Sequence, residues 1–144
     1  MLTFALDYEL WRLTHDAETL TFVKKVRSGL AAAEADEKAL PPEEMTLDQQ
    51  DDYYGWRTVE THSVARADLT GVRIQRTECS VIDAEFPTTL VEIFVEATMD
   101  RRECIFREEV SDDPDYTVRP FWDEAIVLSM VEELGVTIRQ LIDG

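Results

Sequence analysis

Hydrophobic residues recur along this chain at two spacings, one suited to strands and one to helices. From Leu2 to Leu10 the side chains of Leu2, Phe4, Leu6, Tyr8 and Leu10 fall on every second position, which suits a half-buried strand. Leu2, Leu6, Leu10 and Leu13 also recur at helical intervals, and the strand is the preferred reading. Thr14 or Asp16 can then accept hydrogen bonds from free amides at a helix start, with Leu20, Val23, Val26 and Leu30 following at helical spacing. This predicts a helix from about Asp16 to Ala39. The pair Pro41-Pro42 ends it, because proline lacks an amide donor and pushes its predecessor toward extended geometry.

Between Leu40 and Tyr54 the pattern lapses. Pro41, Pro42, Glu43, Glu44, Asp48, Gln49, Gln50, Asp51 and Asp52 leave only Met45 and Leu47 as apolar anchors. An exposed acidic loop over about residues 40–55 is predicted, with a short helical turn at Thr46 to Asp52, and it is the region expected to move most.

Beyond Gly55 alternation takes over. Trp56 to Arg66, Val72 to Cys79, Val81 to Phe86, Thr89 to Thr98 and Glu103 to Val110 read as strands, broken by Asp68-Leu69-Thr70-Gly71, Pro87 and Met99-Asp100-Arg101. The clearest is Leu90 to Thr98, where Val91, Ile93, Val95 and Ala97 face one way and Glu92 and Glu96 the other. Such short links force antiparallel neighbours. After an acidic turn at Ser111-Asp112-Asp113-Pro114-Asp115 and then Pro120, the residues Trp122, Ile126, Val127, Met130, Val131 and Leu134 predict a helix. Asp123 and Glu124 fall in its first turn, where negative charge favours the helix dipole. Gly135 reads as its C-cap, leaving Val136 to Ile142 as a closing strand or a second short helix. The resulting expectation is one α+β domain over residues 1–144, with an antiparallel meander of about five strands covered by an N-terminal and a C-terminal helix.

Charge changes the picture most. The 31 Asp and Glu against 14 Lys and Arg give a net of -17 on 144 residues, a field that repels nucleic acid and anionic membranes and favours a basic protein partner. Disorder does not follow, because 44% hydrophobic and 9% aromatic residues stand in periodic runs. No apolar run approaches a membrane span and the N-terminus has no signal-peptide pattern, so a cytoplasmic location is expected. Cys79 and Cys104 then read as reduced thiols, with a cross-strand disulfide as the alternative. Three lysines against eleven arginines point to no function.

Chemical signatures are sparse. His15 and His62 are the only histidines, neither belongs to a metal-ligand spacing, and Asp112-Asp113-Pro114-Asp115 lacks the Gly and distal Glu of a calcium loop. Neither a metal nor a cofactor is expected. Cys104 alternates with Phe106 and Val110 on the apolar side of its strand, which suggests an inert thiol. His62 shares a strand face with Glu60 and Val64, an arrangement open to acid-base work or to an ordinary surface histidine. Five scattered glycines make no phosphate cradle, and no catalytic residue is assigned. The segment Glu133 to Arg139 resembles the turn of a helix-turn-helix, but its surroundings are too acidic for DNA.

Two features remain. In Asp51-Asp52-Tyr53-Tyr54-Gly55-Trp56, aromatic side chains stand beside carboxylates, a composition that suits an interface with Arg or Lys of a partner or, alternatively, docking of Tyr54 and Trp56 on the chain's own core. The second is the row Glu92, Glu96, Glu103 and Glu109, which Arg101, Arg102 and Arg107 can neutralise across strands, leaving either a solvated face or a docking surface. Asp48, Asp51, Asp52, Tyr53, Tyr54 and Trp56 are the candidate partner contacts. The expected function is a non-catalytic acidic protein that docks on a basic partner, as an inhibitor, immunity or counter-defence protein blocking a nucleic-acid site does. The alternatives are a salt-adapted small enzyme or ligand-binding domain, whose acidity serves solubility alone, and an oligomeric structural module.

Overall fold

The computed structural model describes residues 1–5, 8–41, 44–79, 88–111 and 122–143. Its contacts divide the chain into two compact units, residues 1–64 and 65–144. The first is built on strands β1 (Leu2–Ala5), β2 (Glu9–His15), β3 (Thr19–Val26) and β4 (Arg57–Ala65), hydrogen-bonded in that order. Between β3 and β4 the chain forms α1 (Gly29–Glu37) and α2 (Leu47–Tyr53). Central strand β2 carries the unbroken buried run Leu10, Trp11, Arg12, Leu13, so both of its faces are covered.

This arrangement corrects the N-terminal reading. The expected strand stops at Ala5, and the helix expected from Asp16 to Ala39 is a strand followed by a shorter helix. Asp16 does cap free amides, but those of a hairpin: its Oδ1 accepts from the backbone N–H groups of Glu18 and Thr19, each at 2.7 Å. An Asx turn uses the same hydrogen bonds as a helix N-cap, which explains the misreading. Ser28 is the true N-cap of α1, accepting from Ala31 N–H, and the helix ends at Lys38, before Pro41.

The second unit is a meander of β5 (Leu69–Cys79), β6 (Thr88–Ala97) and β7 (Arg101–Ser111), to which β8 (Trp122–Asp123) adds two residues in parallel. Helix α3 (Glu124–Asp143) packs on this sheet through Val127, Met130, Val131, Leu134 and Ile138, a stripe spaced by three and four. On β6, Val91, Ile93 and Val95 are buried as their alternation predicts.

The molecule is therefore α+β, with two antiparallel sheets in place of one five-stranded meander. β4 pairs with β3, and a single 3-10 turn at Arg66–Asp68 separates it from β5. Trp122 lies in β8 opposite Val110, ahead of the helix that was expected to include it. Gly135 is no C-cap, since α3 continues eight residues past it to Asp143. An added Cβ there would stand 3.2 Å from the Ile74 Cδ1 methyl, so this glycine permits a close helix-to-strand approach. A bulge between Ile93 and Phe94 shifts the register, buries Ile105 and Phe106 in succession, and moves Cys104 opposite Phe94. Cys104 is accordingly a half-buried thiol, 3.2 Å from the Phe106 carbonyl oxygen and 4.0 Å from Glu92 Oε2, off the apolar side expected for it. The strand expected over Val81–Phe86 and the acidic turn at 112–115 lie outside the described residues.

Candidate functional site

The expected helical turn at Thr46 to Asp52 is α2, closed by a capping box. Thr46 Oγ1 accepts from Gln49 N–H, and Gln49 Oε1 accepts from Thr46 N–H. Spacing of three residues then puts Asp48 and Asp51 on one helix face. Below it, the β2–β3 register sets Leu10 opposite Lys25 and Arg12 opposite Val23, so Arg12 and Lys25 are diagonal neighbours on one sheet face.

Asp51 enters that pair of cations. Arg12 grips it with both terminal guanidinium nitrogens, Nη1 to Oδ2 at 2.5 Å and Nη2 to Oδ1 at 3.2 Å, while Lys25 Nζ donates to Oδ2 at 2.8 Å. Arg12 Nε donates to Thr3 Oγ1, and Lys25 Nζ also reaches Asp48 Oδ1 at 3.0 Å. Residue exposures of 5% for Arg12, 4% for Lys25 and 6% for Asp51 make this a buried ionic cluster. Burial pushes the Asp51 carboxyl toward its neutral form, but the hydrogen bonds and charges of Arg12 and Lys25 outweigh it and hold the pKa below the ordinary value. Lys25 is likewise opposed by burial, yet Asp51 and Asp48 raise its pKa above the ordinary lysine value.

Aromatic residues complete the junction with α1. The Arg27 guanidinium lies 4.2 Å from the centre of the Trp56 ring and donates through Nη1 to the Tyr54 carbonyl oxygen at 3.2 Å. Lys38 Nζ donates to the Tyr53 carbonyl oxygen and sits 4.7 Å from the Tyr53 ring, while the Tyr53 hydroxyl donates to the Ala39 carbonyl oxygen. Tyr53 and Tyr54 meet edge to face. Gly55, at φ +85°, lets the chain turn against Ala31, where an added Cβ would come within 2.7 Å of the Ala31 Cβ.

The six expected contacts thus separate. Asp51 is interior, its charge matched inside the chain, and Trp56 is 8% exposed beneath Arg27. Asp48 is exposed but holds Lys25. Asp52 is exposed, and Tyr53 and Tyr54 are half-buried. Most of this segment therefore fastens α2 down. Sequence reasoning missed Arg12 and Lys25, although each interrupts an apolar strand run, and it missed the exposed acids Glu34, Asp36 and Glu37 of α1 because α1 had been merged into a longer helix.

Acids are distributed differently on the two units. Residues 28–56 hold eight acids and a single base, Lys38. On the second unit the register sets Glu92 opposite Arg107 and Glu96 opposite Arg102, with Arg107 Nε 3.9 Å from Glu92 Oε2 and Arg101 Nη2 3.3 Å from Asp68 Oδ2. The expected cross-strand neutralisation thus holds for Glu92 and Glu96, whereas Glu103 stands opposite Val95 and Glu109 stands opposite Leu90 and accepts from Thr88 Oγ1.

Among the described residues, no three His, Cys, Asp or Glu side chains converge as a metal site, and no helix is long and apolar enough to cross a membrane. Compared with known proteins, the chain matches no family model, no curated protein and no solved structure.

Proposed function

We propose that this chain is a non-catalytic binding protein of the cytoplasm that sets the acidic side of α1 and α2 against a basic surface of another protein, blocking a site that otherwise holds nucleic acid. One observation carries the reading. On the sheet of the second unit Glu92 and Glu96 face Arg107 and Arg102 in register, whereas Glu34, Asp36, Glu37 and Asp52 are exposed in a segment with one lysine. Like charges gathered without matching cations raise the local negative potential, which speeds encounter with a cationic surface and stands in for a phosphate row. Tyr53 and Tyr54, half-buried beside Asp52, add rigid contact area. Asp48 and Asp51, bound to Lys25 and Arg12, keep α2 seated and present this side.

A pull-down with the full chain tests this. At low ionic strength it captures a stoichiometric basic protein that added salt releases. The variant Glu34→Gln/Asp36→Asn/Glu37→Gln loses the capture, while Glu92→Gln/Glu96→Gln keeps it. Absence of any such protein at every ionic strength, or equal retention by both variants, overturns the proposal.

A further inference from the structure

β4 runs Arg57-Thr58-Val59-Glu60-Thr61-His62-Ser63-Val64-Ala65 at the end of its sheet, and seven of its nine residues are exposed. A terminal strand turns a row of backbone N–H and C=O groups away from its one neighbour, a template for another strand. Proteins usually guard such an edge with Lys, Pro or short length. β1, at the other edge, has four residues, whereas β4 is the longest strand of its sheet and contains neither Lys nor Pro. Thr, Val, His and Ser fill it, residues at home in extended chain.

We propose that a second copy of this chain pairs antiparallel with β4 about a twofold axis at Thr61, joining two four-stranded sheets into one of eight. Geometry narrows the choice of axis. A twofold axis perpendicular to the sheet keeps each side chain on its own face, and directly opposed residues share a face, so the axis must pass through a residue. Centred on Glu60, the pairing would set two Glu60 carboxylates directly opposite each other. Centred on His62, it would oppose two imidazoles and leave Glu60 facing Val64. Centred on Thr61, it sets Glu60 opposite His62 twice, Thr58 opposite Val64 and Val59 opposite Ser63. Glu60 and His62 already share a face, with Glu60 Oε1 2.5 Å from His62 Nε2 within one strand. In the paired form, each His62 therefore stands between its own Glu60 and that of the second copy.

Self-complementarity favours a copy of this chain as the occupant, because the Thr61 register sets each Glu60 opposite a His62. β4 carries one Arg and one Glu in a chain of net -17, so this edge is balanced where the rest is acidic. Self-association at this edge has the opposite salt response to docking on a basic protein: two chains of -17 repel at long range, and added salt strengthens the pairing. The two readings use different surfaces and fail independently.

Sedimentation velocity over the micromolar range is expected to show a monomer–dimer equilibrium that shifts toward dimer as salt is raised. His62→Glu sets like charges opposite each other at two symmetric positions and weakens the dimer about tenfold. The exchange Glu60→His/His62→Glu restores it. In a Cys79→Ser/Cys104→Ser background, Thr61→Cys forms an intermolecular disulfide on mild oxidation, because the two positions lie opposite each other. Thr58→Cys does not, its two copies being offset by six residues, roughly 20 Å. Circular dichroism melts verify that each variant is folded. A monomer at every concentration and salt overturns the proposal, and so does a dimer that is indifferent to His62→Glu or that cross-links equally through Thr58→Cys.

Discussion

Helices α3 and α2 are each held on a sheet, by opposite means. α3 lays Val127, Met130, Val131, Leu134 and Ile138 against β5, β6 and β7, a dry stripe with no charge in it. In α2 the one buried residue is Asp51, set between Arg12 and Lys25, while Leu47 faces outward. Apolar docking is non-directional and indifferent to pH. Ionic docking in a buried place fixes geometry, because the carboxylate must meet both cations, but desolvation cancels much of its attraction. The first kind of contact holds by area. The second holds by leaving no charge unmatched, and it fails hard when one member is removed.

The largest expected effect is therefore at Asp51. Asp51→Ala leaves Arg12 buried without a counter-charge and Lys25 with only the exposed Asp48, and urea unfolding should show a loss of about 3–5 kcal/mol. Leu134→Ala, deep in the α3 stripe, should cost about 2–5 kcal/mol through lost burial and a residual cavity. The sharper contrast lies in rescue. Asp51→Ala combined with Arg12→Met should recover part of the loss, since the second change removes one stranded charge, whereas no second deletion repairs Leu134→Ala. Equal behaviour of the two sites on double substitution would erase the distinction.

Gly55 comes next. Its φ of +85° and the 2.7 Å approach of an added Cβ to Ala31 make Gly55→Ala strained in backbone and contact alike. A loss of about 1–3 kcal/mol is expected. If α2 is seated by ions alone and not also by this close turn against α1, the variant will melt like the parent protein.

Acid also separates the two helices. The Asp51 pKa is lower in the folded chain than in the unfolded one, so its contribution is fully present above the unfolded value of about 4 and is lost as pH falls through the folded value. Lys25 has the opposite sign: its folded pKa is raised, so its share is present below the ordinary lysine value and lost as pH rises through the folded one. The stability gap between the parent protein and Asp51→Asn should therefore shrink as pH drops below about 4, while the cost of Leu134→Ala stays level. A gap that is constant across that range would mean the carboxylate is not held ionised by the cluster.

The same contrast explains what was legible in the sequence. α3 could be read because an apolar stripe has a period, and the β6 alternation of Val91, Ile93 and Val95 could be read for the same reason. Thr46 and Gln49 marked α2 through a local capping pattern. The seat of α2 was illegible: Arg12 and Lys25 look like surface charges until the strand register sets them side by side, and Asp51 looks like one more acid in an acidic loop. β3 was lost because Leu20, Val23 and Val26 satisfy a helical spacing, while Lys24 interrupts the alternation of Leu20, Phe22 and Val26 that would have marked a strand. Long-range pairing decides such cases, and the Asx turn at Asp16 gave the wrong local cue. For the candidate site, the composition of Asp51 to Trp56 was visible, but which of its members faces outward depended on these missed partners.

The smallest effect expected is at Gly135, where the α3 stripe itself can be improved. A glycine inside a helix costs about 0.5–1 kcal/mol relative to alanine through backbone entropy, and α3 bears that cost midway along its length. The opposing term is the 3.2 Å contact that a Cβ would make with Ile74 Cδ1, which requires that methyl to yield by a few tenths of an ångström. Ile74 is 40% exposed, and its terminal methyl can turn away from the helix without meeting a packed core. Propensity should therefore win, and Gly135→Ala should raise the stability of the protein by up to about 0.5 kcal/mol in urea unfolding. A loss in its place would show that Ile74 is fixed by the β5–α3 contact, and that apolar docking in this unit is as intolerant of small displacement as the ionic seat of α2.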